Sequence, residues 1–107
     1  MTNEEHEALI KVRDLLDSGA LDGQFSMNYA EAIDDCGSVR CIGGWMAHYM
    51  SIPDASRYVS RHDELHDLFY PGDDVGVDWD DITPAQAVLA IDNFLDTGEP
   101  EWSTILT

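Results

Sequence analysis

The stretch 39–50 reads Val-Arg-Cys-Ile-Gly-Gly-Trp-Met-Ala-His-Tyr-Met and is apolar on nearly every side, apart from Arg40 and His48. A helix without a polar face is normally covered all round, so the rest of the chain has to wrap it. That requirement constrains the fold more than any other feature. Gly43-Gly44 costs up to about 1 kcal/mol per glycine in a helix interior. Close approach of another backbone is the expected compensation.

The covering pieces are also legible. Thr2, followed by Glu4, Glu5 and Glu7, has the form of a helix N-cap with acids in the first turn. Leu9, Ile10, Val12, Leu15 and Leu16 recur at helical spacing to about Ser18, and Gly19 ends the run. Thr83-Pro84-Ala85-Gln86 combines an N-cap, a proline at the first helical position and a capping-box glutamine. Val88, Ile91, Phe94 and Leu95 form its apolar stripe, and Thr97-Gly98 closes it.

Between these, Ser51-Ile52-Pro53-Asp54 marks a break and a new start, and Ser60-Arg61-His62-Asp63 a second one, followed by Leu65, Leu68 and Phe69. Pro71-Gly72-Asp73-Asp74 is a turn signal, and residues 71–82 read as an acidic loop around Val75, Val77 and Trp79. Trp102, Ile105 and Leu106 are placed to dock as a final clamp. Phe25, Met27 and Tyr29 alternate, which fits either a short extended segment near residues 24–30 or anchors under a loop. The expectation is mainly α: one acidic domain over 1–107, a small helical bundle of four to five helices. Ile42, Trp45, Leu89 and Phe94 are assigned to its core. A length of 107 residues suits one modest core, and 44% apolar content with three Trp argues against disorder.

Charge narrows function. Twenty-two carboxylates against 5 Lys+Arg give −17, which argues against direct binding of DNA, RNA or an anionic membrane, since each needs bases to replace counterions. Residues 1–61 hold ten acids and all five bases, a net of −5, whereas residues 62–107 hold twelve acids and no Lys or Arg, a net of −12. The acidic start lacks the basic and apolar parts of a signal peptide, and no apolar run reaches about 18 residues. A cytoplasmic address with Cys36 and Cys41 reduced is therefore expected.

Cys36-Gly37-Ser38-Val39-Arg40-Cys41-Ile42-Gly43-Gly44-Trp45 resembles the C-G-[ST]-x-x-C-x-x-G-W core of a family of small uncharacterised proteins from bacteria, their plasmids and their phages. Leu68-Phe69-Tyr70-Pro71, Ile82-Thr83-Pro84-Ala85-Gln86-Ala87 and Ala90-Ile91-Asp92-Asn93-Phe94-Leu95 are similar to later blocks of that group. The resemblance covers roughly residues 25–102. It implies a small helical fold and a mobile-element setting, and it implies no reaction.

Four constellations of residues bear on chemistry. Cys36-x4-Cys41 with His62-x3-His66 forms a Cys2His2 set able in principle to hold zinc, although the interval between the pairs contains a whole buried helix. His62-Asp63-Glu64-Leu65-His66 lacks the glutamate that a metalloprotease helix needs directly after the first histidine. Asp73, Asp74, Asp78, Asp80 and Asp81 do not follow an EF-hand spacing. Cys41 and His48 share a helix face but stand about 10 Å apart along its axis, too far for a thiolate–imidazole pair. No catalytic residue and no cofactor is assigned.

Three accounts of the acids compete: ordered carboxylates imitating nucleic-acid phosphates, solubility in a salty cytoplasm, and a plain solvated surface. The first makes the chain a non-enzymatic inhibitor of a basic, nucleic-acid-binding host protein, such as a factor of a CRISPR or restriction defence. Its candidate surface is Asp63, Glu64, Asp67, Asp73, Asp74, Asp78, Asp80 and Asp81. Trp79 is either the apolar anchor of that surface or a plug beneath the loop. The alternative is a small zinc-binding or structural accessory protein.

Overall fold

The computed structural model describes residues 1–27, 32–34, 37–72 and 78–106, with 32–34, 37, 38 and 80 as backbone alone. The first helix, α1 (Asn3–Ser18), opens on Thr2, whose hydroxyl accepts from the Glu5 N–H while Glu5 accepts from the Thr2 N–H, a complete capping box. Gly19 closes it in the left-handed conformation at φ 82°. Further helices are α2 (Ile42–Tyr49), α3 (Ala55–Arg61), α4 (His66–Phe69), α5 (Pro84–Thr97) and α6 (Trp102–Ile105). α5 carries the second capping box, Thr83 with Gln86, and ends at Gly98. The mainly helical expectation holds.

The apolar run enters its helix three residues later than its composition implies. Val39 ends β2 (Gly37–Val39), which pairs antiparallel with β1 (Ala32–Asp34). Arg40 bridges Phe25: the Arg40 N–H donates to Gln24 O at 3.1 Å, and the Ser26 N–H donates to Arg40 O at 3.2 Å. Cys41 is the N-cap, its Sγ accepting from the Gly44 N–H at 3.4 Å. Extended backbone thus satisfies polar groups at positions 39 and 40 that a longer helix would have paired internally. The extended bridge at Phe25 falls within the segment expected near 24–30, Met27 is buried, and Tyr29 lies outside the described residues.

As expected, α2 is enclosed: Ile42, Gly43, Gly44, Trp45, Met46 and Ala47 are all buried. It packs between α1 and α3, while α5 covers the other side of α1 and receives α6 and α4. Leu9, Val12, Ile42, Met46 and Ile91 are essentially inaccessible, each stabilising by roughly 1.5–3 kcal/mol through apolar burial. What closes on Gly43 is not a backbone. A Cβ there would lie 2.7 Å from Val59 Cγ2 and 3.0 Å from Phe69 Cζ, so the glycine admits two side chains from α3 and α4.

Leu89 is not core. It is 54% exposed, because α5 buries Ala87, Val88, Ala90 and Ile91, and at 100° per residue position 89 faces the opposite way. Phe94 is half-buried against the core. The tail docks as expected: Trp102 is buried, and its indole N–H donates to Leu68 O at 3.2 Å. Among the described residues no helix is long and apolar enough to cross a membrane.

Candidate functional site

Asp63, Glu64, Asp67, Asp78 and Asp81 are exposed. Asp73 and Asp74 lie outside the described residues, and Asp80 is described by its backbone only. Asp63 and Glu64 occupy the link between α3 and α4, Asp67 lies on α4, Asp78 precedes the 3-10 turn Trp79–Asp81, and Asp81 ends it. The Glu64 carboxylate pairs with the Met1 ammonium. Trp79 is half-buried against the core; its indole N–H donates to Gly72 O at 3.1 Å, and its ring centroid lies 6.0 Å from that of Tyr70. Its polar atom is thus satisfied by Gly72, and part of its surface stays open.

The fold adds two carboxylates that hydropathy and charge runs do not single out. Docking of Trp102 onto Leu68 draws the link Glu99-Pro100-Glu101 over α4. Asp67, Glu99 and Glu101 thereby line one open cleft of about 230 Å³, with Trp102 and Tyr70 contributing apolar wall. No Lys or Arg is part of that lining, and among the described residues none of the three carboxylates forms an ion pair. The only legible signal was the apolar tail, whose docking carries the acids with it.

A second cluster joins α1 to α3. Glu5 Oε2 accepts the Tyr58 hydroxyl at 2.6 Å and also meets His62 Nε2. His62 Nδ1 accepts the Leu65 N–H at 3.1 Å, so the ring proton facing Glu5 sits on Nε2. Burial acts to raise the Glu5 carboxyl, but hydrogen bonds from the Thr2 N–H, Tyr58 and His62 outweigh it and hold the group at about 2. Burial and the adjacent carboxylate push the Tyr58 phenol well above its ordinary value. Both imidazole nitrogens are engaged, which leaves His62 no lone pair for a substrate. The geometry is that of a structural clasp.

The same clasp removes His62 from the Cys2His2 set. Cys41 is buried at the α2 N-cap, with its thiol raised by burial, and His66 is exposed and tilted against Tyr70, with ring centroids 4.9 Å apart. Cys36 lies outside the described residues. Among the described residues no three His, Cys, Asp or Glu side chains are grouped to hold a metal. His48 packs edge-on to Trp45 and Tyr49.

Fold and surface together define a small helical acidic protein in which Asp67, Glu99 and Glu101 line one cleft without an ion-pair partner among the described residues. No family model, curated protein or solved structure matches the chain.

Proposed function

We propose that the chain is a non-enzymatic cytoplasmic binding protein that occupies the basic, nucleic-acid-binding surface of another protein. The observation that carries this reading is the unneutralised cleft of Asp67, Glu99 and Glu101, within a C-terminal segment of twelve acids and no base. Displayed like charges destabilise a fold through self-repulsion. A partner's Lys or Arg entering the cleft relieves that repulsion and gains charge-assisted hydrogen bonds. Asp63, Asp78 and Asp81 extend the same sign of charge and steer association, whereas Glu64 is held by the Met1 ammonium. The carboxylates then stand in for phosphates, and Trp79 offers the apolar contact. The resemblance of the Cys36–Trp45 block to mobile-element proteins makes a host defence nuclease or regulator the favoured target.

The test is capture from a bacterial lysate on the immobilised chain, with bound proteins identified by mass spectrometry. Basic nucleic-acid-binding proteins should be retained at low salt. They should be lost at about 0.5 M salt, where the Debye length falls to about 4–5 Å. Capture should also fail with the variant Asp67→Asn/Glu99→Gln/Glu101→Gln. Recovery of no such protein, or retention that survives both salt and substitution, overturns the reading.

A further inference from the structure

The five bases of this chain are not used alike. Arg13 forks onto Asp92, its Nε and Nη2 donating to the two carboxylate oxygens at 3.0 and 3.1 Å. Lys11 lies 4.4 Å above the Tyr49 ring, and Arg40 lies 5.4 Å from the Trp45 ring. Arg57 and Arg61, one turn apart on α3, are exposed, and among the described residues their guanidiniums have no ion-pair, hydrogen-bond or ring partner. In a chain with 22 carboxylates and 5 Lys+Arg, two adjacent unpaired guanidiniums are a surface kept positive against a large excess of acid.

They flank a cleft of about 520 Å³, within the range of roughly 300–1,000 Å³ usual for small-molecule sites. Behind its mouth lie the buried Met27, Cys41, Val59 and Phe69, and its accessible aromatic wall is the half-buried Tyr70 and Trp79, with Ser56 and Ser60 beside the two arginines. Asp54 also lines it, but that carboxylate is occupied as the α3 N-cap, accepting the Arg57 N–H at 3.0 Å. The Tyr70 hydroxyl borders the same space without a hydrogen-bond partner among the described residues. Burial, and secondarily the Cys41 sulfur, raises that phenol above its ordinary value, so it remains a donor.

We propose that this cleft binds a small organic anion, an aromatic body bearing a phosphate, with the phosphate held by Arg57 and Arg61 and the ring seated against Tyr70 and Trp79. Guanidinium forks match phosphate oxygens bidentately. The size follows from electrostatics. A polyanion such as nucleic acid meets the repulsion of the whole −17 chain, whereas a small ligand places its charge between two cations and its ring in an apolar cleft. This cleft shares Tyr70 with the acidic cleft but places its cations on α3, and the proposal does not depend on the partner-binding reading.

The experiment is an NMR titration of the full chain with phenyl phosphate, following the Arg57 and Arg61 side-chain Nε–H signals and the Trp79 indole N–H. Saturable shifts at all three, with a Kd of ~1 mM or tighter, are expected. Inorganic phosphate should bind at least about tenfold more weakly, and benzyl alcohol should not saturate. Arg57→Ala/Arg61→Ala should weaken phenyl phosphate by about tenfold or more while the chain stays folded by NMR, since both side chains are exposed. No saturation by ~10 mM, equal affinity in the double variant, or inorganic phosphate binding as tightly as phenyl phosphate would each overturn the assignment.

Discussion

Tyr58 on α3 donates its hydroxyl hydrogen to Glu5 in the first turn of α1 at 2.6 Å, and the oxygen that receives it also meets His62. One carboxylate therefore caps a helix and fastens a second helix to it. The consequence for pH follows from the sign of the shift. The Glu5 carboxyl moves from 4.5 to about 2 on folding, so the folded state binds fewer protons than the unfolded state. The associated stability is complete above about pH 4.5 and is lost as pH falls towards about 2. Denaturant melts across that window should show the wild type losing roughly 1–3 kcal/mol more than Glu5→Gln. Other carboxylates protonate in the same window in both proteins, so the difference between the two curves is the measured quantity. A difference that stays constant with pH would exclude the clasp as a titrating link.

Gly43→Ala sets two effects against each other. Alanine improves helix propensity by about 1 kcal/mol. Its Cβ would lie 2.7 Å from Val59 Cγ2 and 3.0 Å from Phe69 Cζ, and overpacking of a closed core costs roughly 1–3 kcal/mol. Overpacking should prevail, giving a net loss by chemical denaturation. The same change in a Val59→Ala background should cost less, because the nearest clash has gone. Equal costs in the two backgrounds would show that Val59 is not what confines position 43.

On α5, neighbouring apolar residues should respond very differently. Ile91 is fully enclosed and Leu89 is 54% exposed. Ile91→Ala should therefore cost roughly 2–5 kcal/mol, against about 0.5 kcal/mol or less for Leu89→Ala, as for other surface changes. Comparable losses would place Leu89 back in a buried environment.

These residues also show what a sequence reveals and where it stops. The Thr2 N-cap, Thr83 with Gln86, and the terminating Gly19 and Gly98 are interactions within four residues or at a single φ, and all were legible. Leu89 misled because hydropathy outweighed phase: Ala87 and Ala90, small and easily overlooked, mark the buried face. Glu5 reads as an ordinary first-turn acid, and nothing local indicates Tyr58 and His62, more than fifty positions away. Asp67, Glu99 and Glu101 come together only because Trp102 docks on Leu68. Long-range pairing is set by how helices seat on one another, and the spacing of residues along a chain does not contain it.

Cys41 offers a kinetic check on the α2 terminus. Cys41 is 2% exposed, its sulfur accepts the Gly44 N–H, and burial raises its thiol. Thiolate, the reactive form, is thus both scarce and enclosed. In a Cys36→Ser variant the remaining thiol should react with a disulfide reagent far more slowly in the native state than in denaturant, at a rate tracking opening of the fold. Native-state labelling as fast as in denaturant would contradict the buried cap.

Salt should stabilise this protein. Raising sodium chloride from ~0.01 M to ~0.5 M shortens the Debye length from about 30 Å to about 4–5 Å. Screening weakens the few attractions present, chiefly Arg13 with Asp92 and Met1 with Glu64. It weakens repulsion among 22 carboxylates far more, because only 5 Lys+Arg oppose them. The melting temperature should therefore rise with salt. Asp67→Asn/Glu99→Gln/Glu101→Gln should raise it at low salt and flatten the dependence, since those three acids share one cleft without a counter-charge. A melting temperature that falls with salt would mean that ion pairing outweighs repulsion. A triple variant with the wild-type slope would mean that the cleft carboxylates do not repel one another measurably, and the electrostatic gain expected from a basic partner entering there would disappear with it.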